Sequence, residues 1–146
     1  MSLVDQSLID ELIKFRKMLH QNPELAFDVD NTSALLAKEL QEAGLEVTTG
    51  IGRNSIVASL NKGSGVNPIG FRADMDALPI TEANTFGHAS NSPGKFHGCG
   101  HDGHSAMLLG AAKLLAQAND LEREIHFIFQ ADEENGNGAQ AMIEDG

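Results

Sequence analysis

Apolar residues recur with helical spacing in four segments of the chain. Residues 5–20 repeat near a 3.6-residue period, and Pro23 ends that pattern. A second helix is predicted to open at Asn31-Thr32-Ser33, whose side chains suit N-capping, and to end before Gly44. The predicted helices are residues 5–20, 31–43, 105–118 and 139–145.

Short β-type runs lie between these helices, and glycines separate several of them. The predicted strands are residues 45–49, 55–60, 68–73 and 124–130, with a turn at 61–65. A strand that is followed by a long connection, a helix and a second strand implies a right-handed parallel crossover. The pattern therefore predicts an α/β sheet. The connection 75–100 is too long for a structureless link in a compact domain, which favours a functional segment.

The composition of the chain limits the classes of molecule that the protein is expected to bind. The 146 residues suit one domain, and 10 Lys+Arg against 21 Asp+Glu give a net charge of −11. An acidic chain without a basic run is expected to bind neither nucleic acid nor an anionic membrane surface. No apolar stretch approaches the length of a membrane-spanning helix, and the first residues lack the features of a secretory signal. Cys99 is the single cysteine, so no internal disulfide forms, and we predict a cytoplasmic domain.

Polar clusters follow two predicted strands and precede one predicted helix. Arg72 to Asp76 ends the strand 68–73, and Asp132-Glu133-Glu134 follows the strand 124–130. His97 to His104 lies between them and leads into a helix. Ligands of open α/β sheets bind at the carboxyl ends of the strands, so the three clusters are expected to converge on one edge.

Cys99-Gly100-His101 is the first candidate for metal binding. Glycine lets the thiolate and the imidazole turn toward one ion, and cysteine, histidine and carboxylate together favour a metal such as zinc. The alternative is that Cys99 is a small buried apolar residue and His101 caps a helix. With Glu133-Glu134 at a nearby strand end, metal binding is the favoured interpretation.

The Glu133-Glu134 pair is the second candidate. Adjacent carboxylates repel each other unless a cation offsets the repulsion. One could bind the ion while the other serves as general base for the attacking water. A solvated acidic turn is the alternative.

Other polar residues remain ambiguous at this level. Asp74 and Asp76 share a face in extended chain, so they are either ligands, groups that orient an imidazole, or surface carboxylates. His104 is a ligand-orienting group or a polar residue of the first helical turn. We interpret His20, His88 and His126 as structural.

Four motifs, in order, resemble one family. They are Leu19 to Phe27 (LHQNPELAF), Arg72 to Ile80 (RADMDALPI), His97 to His104 (HGCGHDGH) and Phe129 to Glu134 (FQADEE). The chain resembles the amidohydrolase branch of the metallopeptidases that includes hippurate hydrolase, N-acetyl-diaminopimelate deacetylase and plant auxin-conjugate hydrolases. The resemblance implies a three-layer α/β sandwich with a mixed, partly parallel sheet.

The resemblance also implies an activity and its residues. The expected activity is hydrolysis of the amide bond of small N-acyl amino acids at a site with two divalent ions, zinc or manganese. Cys99, His101 and Glu134 match metal ligands, with Cys99 bridging the ions. Glu133 matches the general base, and Asp76 matches a carboxylate that orients a ligand.

Two departures from the family pattern affect these expectations. Ala131-Asp132 stands where the family usually has Pro-Ala, which adds a negative charge beside Glu133. Family members are several hundred residues long, and their remaining histidine ligands would lie beyond residue 146. Residues 1–146 are therefore expected to be the N-terminal part of the catalytic domain, without the second domain and inactive alone.

Three further hypotheses stay open at this level. The chain could be a non-catalytic metal-binding or interaction fragment of that family. It could instead be a thiol enzyme with Cys99 as nucleophile and His101 or His104 as base. An incomplete sheet edge would also allow a homo-oligomer.

Overall fold

The part of the chain that the structure describes forms four helices and four strands, in the order that the sequence pattern predicts. The computed structural model describes residues 5–61 and 65–146, so residues 62–64 of the predicted turn lie outside it. The third helix begins at His101, four residues earlier than predicted. The elements are α1 (Gln6–Gln21), α2 (Asp30–Glu42), β1 (Glu46–Ile51), β2 (Ser55–Leu60), β3 (Gly65–Asp74), α3 (His101–Ala116), β4 (Arg123–Gln130) and α4 (Gly138–Asp145).

The strands form one mixed sheet in the order β1-β2-β4-β3. β2 pairs antiparallel with β1 and β4, whereas β3 pairs parallel with β4. The parallel pair confirms that the connection is a parallel crossover, while its right hand stays a prediction. The mixed sheet with its helices confirms the predicted fold class. Asp74 lies opposite Gln130 at the end of the parallel pair, so the residues that follow both strands emerge side by side.

Alternate residues of β2 and β4 build the core. Ile56, Phe127 and Phe129 are fully buried and belong to one cluster with Leu36 of α2 and Leu109 of α3. Burial of each large apolar side chain stabilises the fold by about 1.5–3 kcal/mol. The sheet thereby becomes a rigid base for the loops at its carboxyl edge. In the described part of the chain, no helix combines the length and apolarity needed to cross a membrane.

The start of α2 differs from the sequence prediction. Asn31, Thr32 and Ser33 lie inside the first turns, where Thr32 and Ser33 are buried, and none of them is the N-cap residue. The carboxylate of Glu24 accepts hydrogen bonds from the backbone N–H of Asn31 at 3.2 Å and of Thr32 at 2.7 Å. A carboxylate at a helix N-terminus also interacts favourably with the helix dipole. A residue from the preceding segment therefore caps α2.

The connection between β3 and α3 is held to the rest of the fold by backbone hydrogen bonds. Leu78 and Phe96 exchange two N–H to carbonyl bonds of 3.0 Å, and the N–H of Ala77 donates to Glu24 at 2.8 Å. The connection is thus an ordered loop that passes beside the end of the sheet, which fits the predicted functional segment.

Candidate metal centre

Cys99, His101 and Glu134 meet at the carboxyl edge of the parallel strand pair. One ligand atom of each residue lies within 4.8 Å of the ligand atoms of the other two. Glu134 follows β4, while His101 opens α3 and Cys99 immediately precedes it across Gly100. Gly100 has φ +83°, a left-handed conformation that favours glycine. The structure thus brings together the three residues that the sequence nominates as ligands.

The His101 ring is fixed by its backbone neighbour. Its Nδ1 lies 2.8 Å from the carbonyl oxygen of Asp76, so an Nδ1–H donates there and Nε2 is left for another partner. Nε2 lies 3.7 Å from Glu133 Oε2 and 3.9 Å from Glu134 Oε1. This is the arrangement expected of a metal-binding histidine with an oriented ring.

Asp76 organises the glutamate pair. Its fully buried carboxylate accepts hydrogen bonds from the backbone N–H of Glu133 at 3.1 Å and of Glu134 at 3.2 Å. Burial by itself raises the pKa of Asp76, but the interaction with His101 and the two amide hydrogen bonds outweigh it and lower the pKa. A carboxylate at this position therefore holds the loop that carries both glutamates against the His101 ring.

The donor set fits a divalent ion. Cys99 is an exposed free thiol, and Oε1 of Glu134 is buried with no hydrogen-bond partner in residues 5–61 and 65–146. Thiolate, imidazole and carboxylate are the ligands that zinc takes in proteins, and a cation would satisfy the buried oxygen.

Comparison with known proteins places the chain in a family. The sequence model of peptidase family M20/M25/M40 matches residues 70–146, more than half of the chain. The chain belongs to peptidase family M20/M25/M40. The matched part contains all three converging residues and Asp76.

Relatives of this M20 chain are hydrolases. It is 46% identical over 136 residues to hippurate hydrolase of Campylobacter jejuni and covers 35% of that protein. It is 43% identical over 146 residues to an N-acyl-L-amino acid amidohydrolase of Geobacillus stearothermophilus and covers 39% of it. These matches include 93% and 99% of the chain.

A solved structure supports the fold. A dinuclear metal-binding peptidase of the M20 family from Bacillus subtilis superposes with a TM-score of 0.91 at 36% identity. The match covers 97% of this chain and 40% of the B. subtilis chain. The chain thus spans 35%, 39% and 40% of the lengths of these three relatives.

A second group of candidate ligands shares His101. Ligand atoms of Asp74, His101 and His104 also lie within 4.8 Å of one another. The carboxylate of Asp74 is 3.3 Å from Arg72 Nη2 and 3.9 Å from His104 Nδ1. Oδ1 of Asp74, like Oε1 of Glu134, is buried without a hydrogen-bond partner among the described residues, so both groups of this M20 chain could receive a cation.

Asp132 points away from the candidate centre. Its buried carboxylate accepts hydrogen bonds from the side-chain amides of Asn135 at 2.5 Å and Asn137 at 2.9 Å. The residue adopts φ +52°, and its N–H donates to the carbonyl of Ala26 at 3.1 Å. The charge that the sequence places beside Glu133 is therefore used to hold the turn that follows β4.

Sequence reasoning missed the environment of His20. It is buried as a structural residue would be, yet it contacts Asp102, which directly follows His101. Its second carboxylate partner is Glu82 of the long connection. The adjacency of Asp102 to His101 was the signal that could have drawn attention to it.

We predict that metal binding releases protons and strengthens as the pH rises. Burial lowers the pKa of His101, but contacts with Asp76 and the charge of Asp74 outweigh it and raise the pKa to about 9. The pKa of the Cys99 thiol is raised by a hydrogen bond to Glu134, by burial and by nearby carboxylates. Both groups are thus protonated at pH 7 without metal, and both must lose a proton to bind an ion.

Calorimetric titration with Zn²⁺ at pH 7, in two buffers of different ionisation enthalpy, measures this release. We expect about two protons per ion and an affinity that increases toward pH 9. An identical heat in both buffers would contradict the prediction.

Proposed function

We propose that this chain carries part of the metal centre of an amidohydrolase that cleaves the amide bond of small N-acyl amino acids. The observation that carries the proposal is the convergence of Cys99, His101 and Glu134 beside Glu133. The C. jejuni hippurate hydrolase and the G. stearothermophilus N-acyl-L-amino acid amidohydrolase support the substrate class. On this proposal, residues 1–146 are part of the catalytic domain.

Each residue has a distinct part in the proposed reaction. Cys99, His101 and Glu134 would hold the ion, and a divalent ion bound there would supply a Lewis acid for the amide carbonyl and for water. Glu133 is 40% exposed on its side chain against 16% for Glu134, so it faces the space from which substrate and water approach. Glu133 takes the proton of the attacking water, and Asp76 keeps Glu133 and His101 in position.

Three finer assignments belong to the proposal. The dinuclear metal binding of the B. subtilis peptidase supports two ions per complete site. The donor set favours zinc, and the family resemblance adds manganese as the alternative. The exposed free thiol of Cys99 is a ligand only when reduced, which favours the cytoplasm. β3 pairs only with β4 among the described strands, and its free edge offers a surface for a second copy.

We predict that the purified chain binds Zn²⁺ and that Cys99→Ser lowers the bound amount. Serine keeps the size of the side chain but replaces the thiolate, which zinc binds strongly. Elemental analysis after dialysis measures the ratio of bound zinc to protein. Thr48→Ala, on the exposed part of β1, is the surface control. A Cys99→Ser chain that retains all its zinc would remove Cys99 from the ligand set.

The alternative of a thiol enzyme with Cys99 as nucleophile is disfavoured. The reactive form of a nucleophilic cysteine is the thiolate, and the raised pKa of Cys99 keeps the thiol protonated.

We predict little amidohydrolase turnover by the 146-residue chain itself. A two-ion mechanism needs more ligands than the Cys99 group provides, and positioning of substrate contributes much of the rate of such reactions. Assays on hippurate and N-acetyl amino acids with added Zn²⁺ or Mn²⁺ measure it. Turnover that matches a full-length relative and is abolished by Glu133→Gln would contradict the prediction. Metal binding without turnover is also what a non-catalytic metal-binding fragment would give.

A further inference from the structure

A cluster of polar side chains, all buried except that of Arg16 at 38% exposure, lies beside the loop that carries Cys99 and His101. We define this cluster as Arg16, His20, Glu82 and Asp102, and the metal loop as residues 97–102. His20 Nδ1 is 2.8 Å from Asp102 Oδ2, and His20 Nε2 is 3.1 Å from Glu82 Oε1. Arg16 Nε is 2.6 Å from the same oxygen of Asp102. The cluster thus joins α1, the first turn of α3 and the long connection.

The long connection is folded around the His20 ring. Four aromatic rings of the connection have centroids between 5.6 and 6.3 Å from the centroid of His20. They are Phe86, His88, Phe96 and His97. The side chains of His20 and Glu82 are only 4% and 3% exposed. His20 is therefore the central contact of this loop.

The metal loop is anchored at its ends and free at its centre. His97 and Asp102 are buried, whereas Cys99 is exposed between Gly98 and Gly100. The bond to the Asp76 carbonyl fixes the His101 ring, whereas glycines impose little on backbone direction, so the ends of the loop set where the backbone carries Cys99 and His101. Oδ1 of Asp102 has no hydrogen-bond partner among the described residues, so Asp102 is held through Oδ2, by His20 and Arg16.

A contribution to stability alone does not account for such a cluster. Buried ion pairs carry a large desolvation cost, and well-packed apolar residues often replace them without loss of stability. The cluster is better explained as a group that sets the positions of the neighbouring candidate ligands, because groups that orient metal ligands strongly affect metal affinity.

We propose that His20 is a positioning residue for the metal loop. By holding Asp102, it fixes the first turn of α3, and with it the placement of His101 and Cys99 relative to Glu134. The inference rests on the metal centre of the proposed function. It assigns a role to the first motif, which contributes no ligand itself.

Two substitutions separate the partners of His20. The amide of His20→Asn occupies the place of Nδ1 and donates to Asp102, whereas that of His20→Gln reaches the place of Nε2 near Glu82. We expect His20→Gln to weaken Zn²⁺ binding by about tenfold or more and His20→Asn to stay within about threefold of wild type. The thiolate-to-metal band of bound Co²⁺ should shift only in His20→Gln.

Leu36→Ala is the control, because Leu36 is a fully buried core residue of α2. It should lower the melting temperature without changing the Zn²⁺ affinity. If both His20 variants lower the melting temperature but bind Zn²⁺ as wild type does, His20 only stabilises the fold and the proposal is wrong. Equal weakening by both variants would also overturn it. A wild-type chain that binds no Zn²⁺ would instead refute the metal centre, and with it the proposed function.

Discussion

Replacing Glu133 by glutamine is expected to lower kcat by about 10²–10⁴-fold, the usual contribution of a general base. The test uses a chimaera in which this chain replaces the matching 136 residues of C. jejuni hippurate hydrolase. Glutamine keeps the length of the side chain but cannot take a proton from water. Because Glu133 is more exposed than Glu134, its loss should leave the metal content near that of the unsubstituted chimaera.

Glu134→Gln is the matched comparison, since it makes the same change at the neighbouring position. Oε1 of Glu134 is buried and without a hydrogen-bond partner within the described ranges, so this substitution should reduce bound metal as well as turnover. Metal analysis and hippurate hydrolysis, measured on the same preparations, distinguish the two effects. If both variants kept full metal and full activity, the roles assigned to the pair would be wrong.

Gly138→Ala is expected to destabilise the 146-residue chain by more than about 3 kcal/mol, because it overpacks a backbone contact. A Cβ at this position would lie far inside 3.0 Å of the carbonyl oxygen of Ala131. Backbone cannot move aside there, since the N–H of Gly138 donates to Asp132 at 3.1 Å and closes the turn that carries the glutamates. For a chain of this size the melting temperature should fall by at least about 6 °C.

Gly103→Ala is the control for this substitution. Gly103 lies in the first turn of α3, and a Cβ there would meet nothing within 4 Å. Alanine has the higher helix propensity, so the melting temperature should stay the same or rise slightly. Thermal unfolding followed by circular dichroism measures both variants. Equal melting temperatures for Gly138→Ala and wild type would contradict the expected clash.

Sequence patterns predicted the elements because their apolar periodicity is strong, as in α1 and β4. They also predicted which polar residues converge, because parallel strands present their carboxyl ends at one edge. Asp76 and Glu133 therefore meet as expected, although their roles as positioning group and base stay predictions. The order of the four motifs also predicted the protein family, and the match of the family model to residues 70–146 confirms it.

Contacts between distant segments could not be read from local patterns. Glu24 caps α2 from seven and eight residues upstream, so the capping residues inside the helix gave the wrong answer. His20 lies 82 residues from Asp102 and 62 from Glu82, distances at which periodicity carries no information. A buried histidine looks the same in sequence whether it packs against apolar groups or between two carboxylates.

The position of β4 has a consequence for biosynthesis. β4 is made after both β2 and β3, yet it lies between them in the sheet. At ribosomal rates of about 5–20 residues per second, β3 waits about 3–11 s for β4 to be completed, and β2 waits about 3.5–14 s. Until then, one edge of β2 and both edges of β3 lack a partner among the described strands, and unpaired strand edges promote aggregation. Cys99 and His101 also leave the ribosome before Glu134, so the three candidate ligands can converge only after residue 134 has been made.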